Sequence, residues 1–454
     1  MLKKLSNGCV ALVQRFLPDP FIFCILLTIV VFVVAMPLTQ QGPMDMVLHW
    51  GNGVWNLLAF SMQMALVLVL GTAFASAKPV KHVIKLIATW PKTPASAIYV
   101  VSFISILACW LNWGFGLVIG ALLAKEVARQ MQGVDYRLLI ASAYTGFVVW
   151  HAGVSGSIPL SMGSLGEDGF VANTGGALSE VVPTSQTIFS AWNLVFCAII
   201  LILLPIINMK MHPEPDEVIS VDPDLLVEEE EVLEVADTPA KKLEQSSILS
   251  YVIVAIGVVF LVYYFATNGF NLSLDIVNLI FLILGIAFHV KPICYVRAIA
   301  NATKGAAGIL LQFPFYAGIM GMMVGSNALT GANLAGVISE AFVSISTPIT
   351  FPVFTFLSAG IVNFFVPSGG GQWAVQGPIM MPAGLELGVR PAITGMAIAW
   401  GDAWTNMIQP FWALPALGIA GLSARDIMGY CLICLFLVGI VVCGGFIVVG
   451  LCGF

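Results

Sequence analysis

The chain has 454 residues, of which 59% are apolar and only 9% charged, with a net charge of -6 and a mean hydropathy of +0.98. Soluble domains carry roughly 25% charged residues. A surface this poor in charge excludes a cytosolic enzyme, and the acidic balance offers no basic footprint for nucleic acid. The apolar runs are continuous rather than alternating, which predicts an all-α polytopic membrane protein and not a β-barrel.

In chain order, Lys3 and Lys4 precede a first apolar run, 21–37, with no small-residue cleavage site after it, so the run reads as a span and not a removable signal. A crossing takes about 20 residues. Runs that fit recur at 60–77, 138–159, 187–209, 248–267, 274–290, 305–325, 391–410 and 427–450. Two uncharged stretches, 93–124 and 341–385, do not fit. As one straight helix the second would be about 68 Å long, so it must fold back. The first is interrupted at Asn112, Trp113, Gly114, Phe115 and Gly116. The second is interrupted at Pro367, Ser368, Gly369, Gly370, Gly371 and Gln372. Proline and consecutive glycines are poor helix interior. Each stretch is predicted to be a helical hairpin, 93–130 and 346–388. Polar, glycine-rich tips favour re-entrant hairpins, because broken backbone at membrane depth needs a water-lined site; two full crossings are the alternative.

Threaded through the nine runs, all 18 Lys and Arg except Arg390 fall on one side. By the positive-inside rule the N-terminus and the opening of the first hairpin are cytoplasmic, and the second hairpin and C-terminus are outside. The segment 210–247 is the polar one and holds 12 of the 24 acids, Glu228 to Glu231 among them. It reads as an acidic cytoplasmic linker between halves 1–209 and 248–454. Nine cysteines lie mostly within apolar runs and read as packing residues; Cys431 and Cys434, though spaced C-x-x-C, sit on a predicted membrane helix. No cofactor or metal set is predicted, and the lack of a catalytic cluster argues against a membrane-embedded enzyme.

The two halves correspond at an offset of 251. Asn112 matches Asn363, His151 matches Asp402, Ser155 matches Asn406 and Pro159 matches Pro410. The spans after the hairpins carry prolines and small polar residues at 150–159 and 402–410, which predicts two broken helices. An inverted repeat with interrupted helices at matching positions is the sequence pointer to a secondary transporter with its site near mid-depth. Serine and glycine at such places also serve plain helix contacts. The candidate substrate-binding residues are Asn112, Gly114, Gly116, Ser155, Ser157, Asn363, Ser368, Gly369, Gly370, Gly371, Gln372, Thr405 and Asn406. Glycine lets backbone N–H groups approach a carboxylate, and the amides and hydroxyls donate or accept. Asp402 is the one carboxylate predicted well inside a full span, at a cost of about 2.5–3.5 kcal/mol on insertion scales, so it is a candidate for coupling. His151 is the second, with a structural histidine as its alternative; the two could meet across the repeat. No Lys or Arg is predicted at mid-depth to pair a second carboxylate. Trp113, Phe115, Phe364, Trp373 and Trp404 could enclose a short alkyl chain, or simply pack.

The two hairpin tips, including Val366 to Trp373, resemble those of the bacterial short-chain fatty acid transporter family, the acetoacetate and butyrate permeases, and the resemblance extends over nearly the whole chain. More distantly the plan is similar to the ion-transporter superfamily of carboxylate carriers. The resemblance implies an elevator-type carrier, with a scaffold domain that dimerises and a transport domain built from the two hairpins and two broken helices. It implies a homodimer in the bacterial cytoplasmic (inner) membrane that moves butyrate or acetoacetate with a coupling cation, proton or sodium. Relatives often carry Ser-Asn-Thr at the tips for sodium, and neither tip here does. A carrier for another small carboxylate or an amino acid is the alternative, as is a passive carboxylate channel, which would need a continuous polar lining.

Overall fold

The computed structural model describes residues 8–11, 15, 20–163, 174–221, 237–269, 274–366 and 369–452. Among the described residues every regular element is a helix and no strand occurs. In hydrocarbon each backbone N–H and C=O must be satisfied internally, and continuous apolar sequence meets that demand as helix. Among the described residues six helical runs are long and apolar enough to cross a bilayer. The chain is therefore a multi-pass helical membrane protein.

The first span, Pro20–Thr39, leads into Pro43–Gly53, where Asp45 accepts the Gly42 N–H at 2.8 Å. That helix packs on Ala307–Val324 through glycine: a Cβ on Gly53 would sit 2.9 Å from the Gly321 Cα. Small residues of this kind let helices approach closely in a membrane. The next span, Leu58–Ser76, ends at Ala77, and the chain turns through 84° into a second helix, Lys78–Ala88. This basic segment reads from sequence as a loop after the span. It is helical because Pro79 presets the first turn and Val80, Ile84 and Ala88 recur every fourth residue on a buried face. Pro292–Thr303 likewise fills a stretch that reads as a basic loop.

The first hairpin is Pro94–Leu111 and Trp113–Gln130, opened by the Thr93 hydroxyl accepting the Ser96 N–H at 3.2 Å. A single residue, Asn112, breaks it. The second hairpin is Phe351–Phe365 and Gly369–Glu386. Each hairpin is followed by a broken span. Tyr136–Thr145 tightens into a 3-10 stretch, Gly146–Ala152, before restarting at Ser157–Met162. Seven residues of 3-10 helix is long for that conformation and marks strain or a hinge. Pro391–Asn406 stops, turns, and restarts at Pro410–Ala420. The Tyr136–Met162 run is buried along nearly its whole length, whereas Ser247–Asn268 buries only Ser250 and Gly257; the first is core and the second is outer wall. Ala191–Lys210, Leu274–His289, Leu334–Val343 and the long Ala424–Cys452 complete the bundle.

Direct bonds join the two halves. Trp400 Nε1 donates to Asn193 Oδ1 at 2.9 Å, Tyr136 Oη to the Ala420 carbonyl at 2.9 Å, and Cys434 Sγ to Asn208 Oδ1 at 3.1 Å.

Candidate functional site

The 3-10 stretch turns His151 toward the Pro391–Asn406 helix. There Asp402, four residues before the helix end, faces it. His151 Nδ1 and Asp402 Oδ1 lie 3.1 Å apart, and both side chains are fully buried. The Ile158 N–H donates to His151 Nε2 at 3.1 Å. That nitrogen is therefore an acceptor, and the hydrogen-bond network assigns the ring proton to Nδ1, donated to the carboxylate. Ser157 Oγ also lies 3.1 Å from Nε2. Asn406 Nδ2 donates to Asp402 Oδ1 at 3.2 Å, and Asp402 Oδ2 has no partner among the described residues.

The second hairpin covers this pair. A Cβ on Gly369 would stand 2.5 Å from Ser157 Oγ and 2.6 Å from His151 Cε1. Asn363, one turn before the tip, sends Nδ2 to the Asp402 carbonyl at 2.8 Å, Thr405 Oγ1 at 2.9 Å and Asn406 Oδ1 at 3.0 Å. Gln409 binds back to the Asn363 and Phe364 carbonyls at 3.0 and 3.1 Å. Three buried acceptor oxygens in this network have no donor among the described residues: Asp402 Oδ2, Asn363 Oδ1 and Gln409 Oε1. The first hairpin docks on the first break in the same way. The Trp113 N–H donates to Ser155 Oγ at 3.0 Å, the Val154 N–H to the Trp110 carbonyl at 2.8 Å, and Asn112 Oδ1 caps the Phe115 N–H at 3.0 Å. Both tips thus lie level with the breaks of the spans that follow them.

His151, Ser157, Asn363, Gly369, Asp402, Thr405 and Asn406 therefore form one cluster, and Asn112 and Ser155 a second. The aromatic rings of Trp113, Trp150 and His151 link them: Trp150 stacks on the His151 ring at 4.0 Å and meets Trp113 at 5.9 Å. The glycines need correction. Gly114 and Gly116 lie inside a helix, not in broken backbone, and a Cβ on Gly116 would strike the Cys109 backbone of the opposite arm. Gly116 is a contact between hairpin arms. Gly369, Gly370 and Gly371 form the first turn of a helix. The first four N–H groups of a helix have no intrahelical acceptor, so glycine costs less there than in the interior. Gly370 is exposed, with nothing within 4 Å of a Cβ. Gln372 is buried within the hairpin, donating to the Ala359 carbonyl at 2.8 Å and to Gln376 Oε1 at 2.8 Å. Ser368 lies outside the described residues.

Of the aromatic residues expected to line a pocket, Trp113 alone joins the His151 cluster. Phe115 stacks on Phe281 at 6.0 Å, Phe364 packs edge-on against Phe365 at 5.8 Å, and Trp404 lies on Phe356 at 4.7 Å with Nε1 on the Leu435 carbonyl. Trp373 is buried within the second hairpin. Sequence reasoning missed Gln409 and Trp412; Trp412 packs on Trp113 at 5.4 Å and on Phe147 at 5.3 Å. A glutamine immediately before the proline of a broken span was the available signal for the former. Among the described residues no three His, Cys, Asp or Glu side chains are grouped to hold a metal.

Gly369 gives a direct test. Gly369→Ala is expected to fold, because the atoms it meets first belong to two side chains and not to backbone, yet to cut initial uptake by an order of magnitude or more by displacing His151 and Ser157. Unchanged uptake at equal expression would refute a working role for that contact.

Hairpin tips seated on two broken spans, over a buried histidine–carboxylate pair, make an arrangement suited to a membrane carrier. Comparison with known proteins is specific. Residues 1–449 match the family described as short chain fatty acid transporter. A protein of Escherichia coli (strain K12) named for short-chain fatty acid transport is 46% identical over 444 residues, covering 97% of this chain and 98% of its own. A protein of Haemophilus influenzae with the same naming is 47% identical over 440 residues, covering 95% and 96%. The chain belongs to the short-chain fatty acid transporter family. It is a membrane transporter and not an enzyme. Two solved transporters align over most of their length at low similarity: MtrF of Neisseria gonorrhoeae, with TM-score 0.43, 15% identity and coverage of 97% and 96%, and YdaH of Alcanivorax borkumensis, with TM-score 0.42, 14% identity and coverage of 96% and 98%.

Proposed function

We propose that the chain is a secondary transporter that carries short-chain monocarboxylates across the cytoplasmic membrane, coupled to a cation, by alternating access. The single observation that carries this reading is the surplus of buried acceptors around Asp402. Among the described residues Asp402 Oδ2, Asn363 Oδ1 and Gln409 Oε1 all lack donors, while the amide donors of Asn363 and Gln409 are already engaged. Such a site is poor in positive charge and rich in oxygen, so it favours a proton or a cation. It also opposes an unaccompanied anion. Two like charges about 4 Å apart at an effective dielectric of about 20 repel by about 4 kcal/mol, roughly a thousandfold in affinity. A carboxylate arriving with a positive charge escapes that term, which makes coupling a consequence of the site's electrostatics. The start of the Gly369–Glu386 helix supplies N–H groups and the positive end of a dipole for the substrate carboxylate. Movement of the second hairpin off Ser157 and His151 would open the site, as alternating access requires.

The absence of lysine and arginine from this cluster among the described residues, and the aromatic faces of Trp113, Trp150 and Trp412 beside it, favour one carboxylate with a short alkyl tail. Each buried CH₂ contributes about 0.8 kcal/mol. In proteoliposomes, unlabelled butyrate and acetoacetate are expected to compete with labelled butyrate under an imposed proton or sodium gradient, and succinate to compete at least tenfold less well. Inhibition by succinate equal to that by butyrate would overturn the substrate assignment, and uptake indifferent to both gradients would overturn coupling.

A further inference from the structure

We propose that the helix Lys78–Ala88, with the turn that follows it, binds anionic phospholipid headgroups at the membrane surface and anchors the base of the first hairpin there. The residues fall into three stripes at helical spacing. Val80, Ile84 and Ala88 are buried, against the Trp113–Gln130 arm. Val83, Leu86 and Trp90 are exposed at 53%, 58% and 59%, at spacings of three and four. Lys78, Lys81, His82 and Lys85 occupy the remaining face, and Lys92 follows.

A solvated basic face would account for the lysines alone. It does not account for an exposed apolar stripe beside them, on a helix turned 84° from the span it follows. A helix of that orientation lies along the bilayer surface, where valine, leucine and tryptophan enter the acyl boundary and lysines reach up to headgroups. Tryptophan is favoured at that depth. Along the sequence no Asp or Glu occurs between Asp45 and Glu126. Glu126, on the arm packed against this helix, is held by Arg129 at 2.6 Å and Gln130 at 2.7 Å. Lys78, Lys85 and Lys92 facing one leaflet therefore select lipid that carries negative charge, each by about fivefold at the surface. The corresponding helix before the second hairpin, Leu334–Val343, has no lysine or arginine, so the property belongs to one side of the protein. Because Gln130 Nε2 also reaches the Lys85 carbonyl at 3.3 Å, lipid held by this helix bears directly on the arm that ends in the first tip.

The test uses the whole protein in nanodiscs. Quenching of Trp90, read as the difference between the wild type and Trp90→Phe, is measured with brominated phosphatidylglycerol and with brominated phosphatidylcholine. The glycerol lipid is expected to quench severalfold more strongly in the wild type. Lys78→Gln/Lys81→Gln/Lys85→Gln is expected to bring the two lipids to equal quenching. Equal quenching in the wild type, or no quenching of Trp90 by either lipid, would overturn the proposal without reliance on any variant. A preference that emerges only when Glu228, Glu229, Glu230 and Glu231 are all replaced by Gln would assign the lysines to that acidic run and also overturn it.

Discussion

Asp402→Asn is expected to abolish accumulation against a gradient while leaving the protein folded and no less stable. The amide keeps the shape of the carboxylate, and its oxygen can still accept from His151 Nδ1 and Asn406 Nδ2 at the positions Oδ1 now serves, 3.1 and 3.2 Å. What it removes is a fully buried titratable carboxyl group with one oxygen unpartnered among the described residues. Central carboxylates cost about 2.5–3.5 kcal/mol on insertion scales, so a purely structural account of the residue predicts a gain in stability and no loss of transport. A coupling role predicts the opposite pairing: the melting temperature holds or rises, while gradient-driven accumulation falls to the background of empty liposomes. Exchange of labelled for unlabelled substrate would separate lost coupling from lost binding. If Asp402→Asn still concentrates substrate in response to the gradient, Asp402 does not carry the coupling.

Gly153→Ala should act on the fold itself. Gly153 has φ −104° and ψ −174°, extended backbone open to any residue, so conformation is not the obstacle. Space is. An added Cβ would collide with the Trp110 carbonyl, in the last turn of the first hairpin arm. Backbone in a helix cannot rotate aside as a side chain can. The tip must instead lift away, breaking the Val154–Trp110 and Trp113–Ser155 bonds. Overpacking costs about 1–3 kcal/mol and each lost bond about 1 kcal/mol, for about 3–5 kcal/mol together. Gly370→Ala, where a Cβ meets nothing within 4 Å, is the matched control and should melt like the wild type. Similar melting of the two variants in the same detergent would show that the close approach at Gly153 is not a constraint on the fold.

The all-helical, multi-pass character was legible because long apolar runs have one stable solution in a bilayer, although among the described residues six runs and not nine reach spanning length. The break at Asn112 and the meeting of His151 with Asp402 were legible too. The first stood in the middle of a stretch too long to be straight, and the second emerged from the 251-residue offset alone. Two kinds of feature escaped. Lys78–Ala88 and Pro292–Thr303 are short and amphipathic, so they barely register in hydropathy. Their signal was the spacing of apolar residues by threes and fours within lysine-bearing segments. The three tip glycines looked like helix breakers, but a first helical turn requires no intrahelical N–H bonds and admits them. Nor could spacing reveal which aromatic ring meets which. Phe115 packs on Phe281 from the other half, a pairing that only the assembled bundle determines.

The bonds that join the two halves also set the order in which the protein can be made. Translation delivers residues 1–210 to the bilayer first. Tyr144 then waits for the Asn406 and Gln409 carbonyls, Asn193 Oδ1 for Trp400, Asn208 Oδ1 for Cys434, and His151 for Asp402. At roughly 5–20 residues per second the remaining chain takes tens of seconds to arrive. Throughout that interval the nascent half holds polar groups in hydrocarbon, each costing several kcal/mol if unsatisfied. The half-made protein is therefore the form most exposed to membrane proteases and most dependent on the insertion machinery. A chain truncated between residues 210 and 247 is therefore expected to be cleared by the cell and not to act as a carrier on its own.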